Sequence, residues 1–248
     1  MDSAIAQRLL TLNRDFYTRF GADFSATRQR LQPGVTRILE SLHGDESILD
    51  LGCGNGELAR TLARRGHRGA YLGLDFSLPL LRDASTFPEG FPARFLAVDL
   101  ASLNWEEERR KRKEDGFELP SSFSLITCFA TLHHIPSNKI RFQILKTIHD
   151  LLAPDGHFVL SNWQFLNSPK LRGRVQPWER AGLTESDVDA GDYLLDWKRG
   201  GEGLRYVHQF SEEELAGLAE SIGFRVVETF YSDGESSRLG LYQVWVTA

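Results

Sequence analysis

The sequence is poor in cysteine and has no long apolar stretch. Its 248 residues include only two cysteines, Cys53 and Cys128, which lie far apart and form no CxxC pair. A disulfide scaffold is therefore excluded, and a reducing compartment is the expected setting. No apolar run reaches the roughly 18 residues that a transmembrane helix needs, and the first residues lack the basic start and apolar core of a signal peptide. We expect a cytoplasmic protein that does not contact a membrane.

The chain also lacks an excess of positive charge. Its formal net charge is −5 at pH 7, so no overall positive field attracts nucleic acid, and we expect no DNA partner. Hydrophobic residues make up 41% and charged residues 25% of the chain, which is the composition of an ordinary globular protein. Disordered and collagen-like classes are excluded, and the sequence contains no internal repeat.

Short apolar runs alternate with helical patterns along much of the chain. This alternation predicts strands at 48–51, 71–75, 95–99, 123–129 and 157–160, with helices at about 57–65, 78–84 and 144–152. Strands that alternate with helices form a mostly parallel sheet with both faces covered. Two further strands, at 225–230 and 241–246, follow a helix near 215–222 and should pair antiparallel. We therefore predict an α/β fold, a Rossmann-like doubly wound sheet of seven strands.

The most specific motif is a glycine-rich turn between the first strand and the next helix, with the sequence Asp-Leu-Gly-Cys-Gly-Asn-Gly at 50–56. Glycines let the backbone approach a ligand and adopt positive φ, and ligands of open α/β sheets bind at the carboxyl ends of the strands. A dinucleotide fingerprint needs its third glycine one residue later. Asp50 would repel a pyrophosphate and attract a cationic group. The alternative is a tight turn without a ligand, and Cys53 is then a small packing residue rather than a nucleophile.

This motif and the strand ends that follow it resemble those of the class I S-adenosylmethionine-dependent methyltransferases, over roughly residues 48–160. The resemblance implies that S-adenosyl-L-methionine is the cofactor. Asp75 resembles the acid that accepts hydrogen bonds from both ribose hydroxyls, Asp99 resembles the adenine-binding position, and 130–135 resembles the segment that lines the methyl-donor site. A turn residue at Asp75 and a helix cap at Asp99 remain open alternatives. The candidate cofactor-binding residues are Arg28, Asp50, Gly52, Cys53, Gly54, Asn55, Gly56, Asp75, Phe76, Asp99, Leu100 and Ala130.

The outer parts of the chain bear a narrower resemblance, to the tRNA wobble carboxymethyluridine methyltransferases. It rests on Phe-Ser-Ala-Thr-Arg at 24–28 with the following Pro33 and Val35, and on the stretches 191–197 and 204–210. It implies methylation of a carboxylate on a modified uridine to give a methyl ester. Because a carboxylate is ionised at neutral pH, it needs correct placement and no general base. Arg28 and Arg205 are candidates for holding the acceptor, and Arg28 alternatively suits the carboxylate of the cofactor.

The candidate catalytic residues are His133, His134, Arg205, Tyr206 and His208. No third ligand at a readable spacing accompanies the adjacent histidines, so no metal site is predicted. One of these two histidines is expected to be a wall of the site and the other a packing or capping residue. The alternative for Tyr206 and His208 is simple alternation along a short strand.

We divide the single domain, 1–248, into four segments. They are a helical cap (1–45), a cofactor-binding core (46–162), an insert or lid for the substrate (163–210), and a helix with a strand pair (211–248). The insert shows no clear helical or strand periodicity of apolar residues. It contains Trp163, Trp178 and Trp197, which either stack on bases or form the core of the lid. A long irregular insert is usually functional.

The expected partner is tRNA or a small-molecule methyl acceptor. Basic stretches are only local, at 109–113 and 170–180, so a tRNA substrate would require a local patch or a helper subunit. The charged segment 105–118 is either a solvated helical extension or a docking arm. Two alternatives to the tRNA enzyme are a small-molecule O- or N-methyltransferase and a non-catalytic scaffold that binds the cofactor.

Overall fold

A seven-stranded sheet lies at the centre of the protein. The computed structural model describes residues 1–26, 30–87, 90–102, 105–107 and 120–248. The strands lie in the order β3-β2-β1-β4-β5-β10-β9, and β10 runs antiparallel to both of its neighbours, whereas the other pairings are parallel. The predicted Rossmann-like class is confirmed. The strand bounds are β1 Ile48–Leu51, β2 Tyr71–Asp75, β3 Ala93–Ala97, β4 Phe123–Phe129, β5 Leu152–Trp163, β9 Phe224–Ser232 and β10 Gly240–Thr247.

Helices cover both faces of this sheet. Gly56, with φ +75°, precedes α3, and Gly66, with φ +76°, follows its end. At the start of α7 the hydroxyl of Ser211 accepts a hydrogen bond from the Glu214 amide. The helix bounds are α1 Ser3–Ser25, α2 Pro33–Glu40, α3 Glu57–Arg64, α4 Leu78–Ala84, α5 Asn138–Leu151, α6 Pro169–Arg172 and α7 Glu212–Ile222, with short 3-10 turns at Leu132–His134, Phe165–Asn167, Trp178–Ala181 and Glu185–Asp187.

The predicted irregular insert contains a second sheet. Its three antiparallel strands are β6 Val175–Gln176, β7 Asp192–Trp197 and β8 Gly203–His208, in the order β6-β7-β8. The register pairs Leu194 with Tyr206 and Leu195 with Arg205. The strands are short, and the turns between them are polar, so the alternation of apolar and polar side chains was too brief to detect in the sequence.

Four strands differ from prediction in their bounds, β9 and β10 by only one or two residues at each end. β3 begins and ends two residues earlier than expected, at Ala93 and Ala97, and β5 extends beyond the predicted 157–160 in both directions. The Pro-Asp-Gly at 154–156, which lies between the predicted helix and the predicted strand, is part of β5. β5 extends because β4 pairs with it from Leu152 onward and β10 pairs with it as far as Trp163. Which strands pair with β5 on its two sides is decided by the tertiary structure, so its full length could not be read from the local sequence.

The first helix links the two sheets. Leu9 packs in a cluster with Trp178 and Tyr206 of the insert, while Phe16 and Phe20 pack with Trp197. The helix therefore fixes the insert next to the carboxyl ends of the central strands. Within the residues described above, no helix combines the length and the apolar character needed to cross a membrane.

Candidate functional site: two adjoining cavities

The glycine-rich turn has a separate geometric reason for each of its three glycines. All three have positive φ, +73° at Gly52, +55° at Gly54 and +75° at Gly56. A Cβ on Gly52 would overlap the side chain of Thr131, and one on Gly56 would lie 2.9 Å from the Cα of Ala84. No atom of the described residues lies within 4 Å of where a Cβ on Gly54 would sit. Gly52 and Gly56 therefore serve close packing, whereas Gly54 faces open space.

That open space is a cavity of about 210 Å³ at the carboxyl ends of the central strands, which we call the loop cavity. The predicted site residues that line it are Gly52, Gly54, Asn55, Asp75, Phe76, Asp99, Leu100, Ala130 and His134. The sequence-based prediction missed another part of its wall, which comes from α1: Leu10, Asn13, Arg14, Tyr17 and Ser25. The loop cavity thus combines eight of the candidate cofactor-binding residues with the face of one helix.

Asp75 is held at the base of the loop cavity with both carboxylate oxygens oriented by the backbone. Oδ2 accepts a hydrogen bond from the Gly54 amide at 2.9 Å, and Oδ1 accepts one from the Ser77 amide at 2.8 Å. The side chain is 8% exposed, and burial raises the pKa of Asp75 to about 6 although these amides oppose the rise. Each oxygen keeps a lone pair for a further donor. The carboxylate therefore fits the vicinal hydroxyls of the expected cofactor.

Asp99 acts as a turn cap and also lines the loop cavity. Its Oδ1 accepts a hydrogen bond from the Ala101 amide at 3.0 Å, and its Oδ2 pairs with the Arg14 guanidinium at 2.5 Å. The two interpretations left open by the sequence are therefore compatible. Leu100 next to it is buried and forms part of the apolar wall. The ion pair joins α1 to the chain just beyond β3.

Three candidate cofactor-binding residues lie outside the described lining of the loop cavity: Asp50, Cys53 and Gly56. Asp50 was predicted to face a cationic group, but its carboxylate accepts hydrogen bonds from Tyr71 at 2.5 Å and Thr127 at 2.7 Å. Strand β1 lies between β2 and β4, so the side chain is enclosed by its neighbours, and burial raises the pKa of Asp50 to about 6.

Cys53 packs beneath the turn rather than into the cavity. Its Sγ lies 2.9 Å from the position of a Cβ on Gly73, so that glycine in β2 makes room for it. Burial raises the pKa of the Cys53 thiol well above its ordinary value, which suits a packing residue and not a nucleophile. Arg28, the remaining candidate, lies outside the described residues, as does the charged segment beyond Glu107 as far as 118.

A second cavity, of about 400 Å³, adjoins the first, and we call it the insert cavity. Phe129, Ala130 and His134 line both cavities and so form their junction. Ala130 has a positive φ of 50°, an unusual conformation for a residue with a side chain, and its amide donates to the Ser161 carbonyl at 2.9 Å. The backbone at the junction is therefore held in place by β5.

Arg205 is the cation of the insert cavity. Only 5% of the residue is exposed, and its guanidinium carbon lies 4.8 Å from the ring centre of Trp163, 5.5 Å from Phe16 and 5.8 Å from Trp197. Aromatic rings favour a cation in such a position. A buried guanidinium beside a cavity can supply positive charge and paired donors to an anionic ligand.

The two adjacent histidines have different positions. The His133 ring is buried in the wall of the insert cavity, and its Nδ1 accepts a hydrogen bond from the Trp163 amide at 3.3 Å. His134 lies at the junction, with Nδ1 3.2 Å from the Tyr206 carbonyl and Nε2 2.9 Å from the Tyr17 hydroxyl. In the described part of the chain, no group of three or more His, Cys, Asp or Glu side chains is arranged to hold a metal ion.

Tyr206 and His208, two of the predicted catalytic candidates, lie outside the described lining of both cavities. Both are buried. The Tyr206 hydroxyl donates to Asp192 at 2.6 Å, and His208 lies between Asp192 at 2.6 Å and Glu214 at 2.9 Å. Side chains alternate along β8, so that Arg205 faces the cavity, whereas Tyr206 and His208, one and three positions further along the strand, face away. They join β8 to β7 and to α7.

Asn13 is the most informative residue that the sequence-based prediction missed. Its Nδ2 donates to the carbonyls of His134 at 3.0 Å and Tyr206 at 3.1 Å, and its Oδ1 accepts from the Tyr206 amide at 2.8 Å. β8 is an edge strand of the insert sheet, and this side chain satisfies its backbone groups. The signal that the sequence offered was a polar residue, Asn13, on the otherwise apolar helical face formed by Leu9, Phe16 and Phe20.

Comparisons with known proteins agree with this geometry. Residues 24–229 match the model of a family described as a methyltransferase domain. A provisionally named methyltransferase of Encephalitozoon cuniculi is 30% identical over 217 residues, which are 86% of this chain and 87% of that protein. The tRNA (carboxymethyluridine(34)-5-O)-methyltransferase of Arabidopsis thaliana is 26% identical over 147 residues, 59% of this chain but 31% of that protein. Among solved structures, the chain is similar to the 1,6-didemethyltoxoflavin-N1-methyltransferase of Burkholderia thailandensis, which was solved with S-adenosylhomocysteine and 1,6-didemethyltoxoflavin. The TM-score is 0.63 at 18% sequence identity, and the superposition covers 100% of this chain and 92% of that protein's chain.

Proposed function

Because the chain belongs to the S-adenosylmethionine-dependent methyltransferases, we propose that its methyl acceptor is the carboxylate of a carboxymethyluridine at the tRNA wobble position. The product would be the methyl ester. The observation that carries this proposal is the position of Arg205, a buried guanidinium in the wall of the insert cavity. An anionic acceptor would be held there by charge and by paired hydrogen bonds.

The lining of the insert cavity supports an aromatic acceptor. Phe129, Trp163 and Tyr242 provide aromatic side chains, which suit stacking with a base. The cavity shares the lining residues Phe129, Ala130 and His134 with the loop cavity. An acceptor placed there would face the methyl donor across a junction that the protein has already formed, which favours methyl transfer through proximity and orientation.

Basic side chains beside the insert cavity suit a substrate with a phosphate backbone. Leu171 and Leu239 line the cavity, and their sequence neighbours Lys170, Arg172 and Arg238 are exposed. Among the described residues, no carboxylate lies within ion-pair distance of these three cations. Phosphate contacts supply much of the affinity for nucleic acid, so a local patch would compensate for the net charge of −5.

The chemistry requires little from the side chains. When bound, S-adenosylmethionine supplies a methyl group on a positively charged sulfur, and the bonding electron pair stays on that sulfur when the methyl carbon joins the acceptor oxygen. A carboxylate acceptor is already ionised near pH 7, so no proton has to move. The residues of this chain would therefore orient the acceptor and exclude water. The partial similarity to the Arabidopsis thaliana enzyme points to the same acceptor.

The test uses purified protein, S-adenosylmethionine and bulk tRNA whose wobble esters have been hydrolysed by mild alkali. Mass spectrometry of the nucleosides should show a gain of one CH₂ on carboxymethyluridine. Arg205→Met should raise KM for tRNA by about tenfold or more, the cost of a lost charge-assisted hydrogen bond, and leave cofactor affinity unchanged. Lys146→Met, which removes an exposed cation on α5, is the matched control.

A parallel reaction includes cell extract to supply any helper subunit. If tRNA remains unmodified with and without extract, the wobble proposal is wrong. Methylation of a compound from the small-molecule fraction would then favour the second candidate, an O- or N-methyltransferase. The net charge of −5 favours that candidate, because a small-molecule acceptor needs no phosphate-binding surface.

A further inference from the structure

Asp233, like Arg205, is a charged residue in the wall of the insert cavity. It lies in the turn between β9 and β10, is partly buried, and is followed by the exposed Gly234. Its Oδ1 accepts a hydrogen bond from the Gly34 amide of α2 at 3.0 Å, and its Oδ2 accepts one from the Tyr242 hydroxyl at 2.7 Å. Each oxygen keeps a lone pair for a further donor. Two separate elements of the fold therefore orient this carboxylate before any ligand binds.

Within the described part of the chain, no cation pairs with this carboxylate. Lysine, arginine and histidine nitrogens of the described residues all lie beyond ion-pair distance of Asp233. Its two hydrogen-bond partners are an amide and a phenol, which are neutral donors. A hydrogen bond to an ionised acceptor is roughly twice as strong as one between neutral groups. A ligand that places a donor at this point of the wall would therefore gain affinity.

The backbone at Asp233 has an unusual conformation that the neighbouring residues fix. Its φ is +71°, in the left-handed region that few residues with a side chain adopt. A Cβ on Gly240 would lie 2.5 Å from Oδ2 of Asp233, and one on Gly34 would overlap the ring of Tyr242. These two glycines let the carboxylate, the phenol and α2 pack closely together. Strained residues that their surroundings hold in place are concentrated at ligand sites.

The position of Asp233 relative to solvent determines which part of the acceptor it would meet. Arg205 is 5% exposed, whereas Asp233 is partly buried and Gly234 is exposed, so the carboxylate lies nearer the entrance of the cavity. A cavity of about 400 Å³ can hold a nucleoside but not the polynucleotide that carries it. The sugar of a wobble nucleotide would therefore stay at the entrance. Because its 3′ oxygen is esterified in the chain, the 2′-hydroxyl is the donor that this sugar has left.

The same turn contains a cation that suits the neighbouring phosphate. Arg238 is exposed, and its guanidinium carbon lies 4.5 Å from the ring centre of Tyr231. Its carbonyl accepts a hydrogen bond from the Asn167 side chain at 2.8 Å, which ties the turn to the insert. In a ribonucleotide the 2′-hydroxyl and the 3′-phosphate are carried by adjacent carbons. A carboxylate and a guanidinium on one turn match this pair of groups.

We propose that Asp233 accepts a hydrogen bond from the 2′-hydroxyl of the acceptor nucleotide and is the residue that makes the protein specific for a ribonucleotide. This inference rests on the proposed use of the insert cavity for a nucleoside acceptor. The 2′-hydroxyl is the group by which a protein distinguishes RNA from DNA at a given site. Arg205 would hold the carboxylate of the acceptor inside the cavity, and Asp233 would hold its sugar at the entrance.

The test compares two anticodon stem-loop RNAs that carry 5-carboxymethyluridine at the wobble position. One has ribose and the other 2′-deoxyribose at that nucleotide alone. Fluorescence anisotropy in the presence of S-adenosylhomocysteine measures each Kd without methyl transfer. The wild-type protein should bind the ribose form about tenfold or more tightly than the deoxyribose form, the ratio expected for one hydrogen bond to a charged group.

Variants at Asp233 separate recognition of the sugar from support of the turn. Asp233→Asn keeps the size of the side chain, and asparagine tolerates the left-handed backbone. It should weaken binding of the ribose form alone, so that the preference falls to about threefold or less. Asp233→Gly, which removes the carboxylate at a backbone angle that glycine adopts freely, should abolish the preference and decides the matter if the first variant does not fold. Glu235→Gln, which changes an exposed carboxylate in the same turn, is the matched control and should keep the full preference.

Several results would overturn the inference. Equal Kd values of the two RNAs for the wild-type protein, or binding of neither, would show that the sugar is not recognised. Equal weakening of both RNAs in the Asp233 variants would make the residue a support of the turn only, and an undiminished preference would assign the hydroxyl to another residue. A protein that shows the preference but forms no ester on tRNA retains this inference and refutes the wobble proposal. A protein that forms the ester without the preference does the reverse.

Discussion

Asp50 predicts an unusual dependence of stability on pH. This carboxylate lies in the middle of the sheet, 4% exposed, between Tyr71 on β2 and Thr127 on β4. Burial raises its pKa from 3.8 to about 6, against the opposing effect of these two hydroxyl donors. The cost of removing a charge from water therefore exceeds the gain from two hydrogen bonds. Asp50→Asn removes that charge and keeps the size of the side chain.

The sign follows from proton binding. Because the folded-state pKa lies above the unfolded value, the native protein binds more protons between pH 4 and pH 6, and its free energy of unfolding falls as pH rises through that range. About two pKa units at 1.36 kcal/mol each give a loss of about 3 kcal/mol, most of it between pH 4 and pH 7. Asp50→Asn should lack this loss, and the variant should become more stable relative to the wild type as pH rises.

Urea unfolding at pH 4, 5, 6 and 7.5, extrapolated linearly to zero denaturant, measures the effect. The difference between variant and wild type should grow by about 3 kcal/mol across the series. Asp155→Asn, which changes an exposed carboxylate on β5, is the control and should give parallel curves. Asp75, whose pKa is also raised to about 6, leaves some slope in the variant. Parallel curves for Asp50→Asn would refute the conclusion that this charge is costly.

Three other perturbations separate local roles. Gly56→Ala should lower the free energy of unfolding by about 2 to 4 kcal/mol, measured with heat or urea, because its Cβ would meet Ala84 at 2.9 Å in a left-handed conformation. Gly54→Ala should cost only about 1 kcal/mol of stability but should weaken cofactor binding in calorimetry. If Gly54→Ala were the more destabilising variant and Gly56→Ala the one that weakens binding, the assignment of Gly54 to the cavity would be wrong. Asp75→Asn should weaken cofactor binding about 10- to 100-fold in calorimetry. The affinity of the wild-type protein for the cofactor should fall as pH drops through about 6, because the Asp75 carboxylate then takes up a proton. An affinity that does not change between pH 5 and pH 8 would contradict the role of Asp75 in binding the cofactor. For His208, burial lowers the pKa, but the hydrogen bonds to two carboxylates outweigh that effect and raise the pKa above 6.5. The stabilising effect of the charged ring is complete below pH 6.5 and is lost as pH rises through the raised pKa. His208→Gln should therefore cost more stability at pH 6 than at pH 9, and an equal cost at both would exclude the charged form.

Much of the central sheet could be predicted because its signals are local. Strands β1, β2 and β4 and helix α4 have the predicted bounds, since each is a short apolar run or a helical pattern that is visible in the local sequence. The turn at 52–56 is also local, because positive φ favours glycine whatever surrounds it. Asp75 follows the same logic, as an acid at the end of a strand beside that turn.

The errors share one physical cause, which is contact between residues far apart in the chain. Asp50 has the sequence position of a ligand-binding acid, but strand order encloses it between β2 and β4. Tyr206 and His208 follow Arg205 along β8, and only the packing of that strand decides which of the three faces the cavity. The insert sheet escaped detection because its strands are held by α1 and by each other rather than by strong local patterns.

By itself the sequence determined the succession of strands and helices that builds the central sheet, the glycine turn and the family of the chain, since these depend on backbone conformation and on periods of a few residues. Tertiary structure alone decided that α1 forms a wall of the loop cavity, that Asn13 contacts Tyr206 across 193 positions, and that Tyr17 meets His134 at the junction. Such contacts leave no periodic trace, because a single buried hydrogen bond between distant segments constrains one residue on each side and nothing between them.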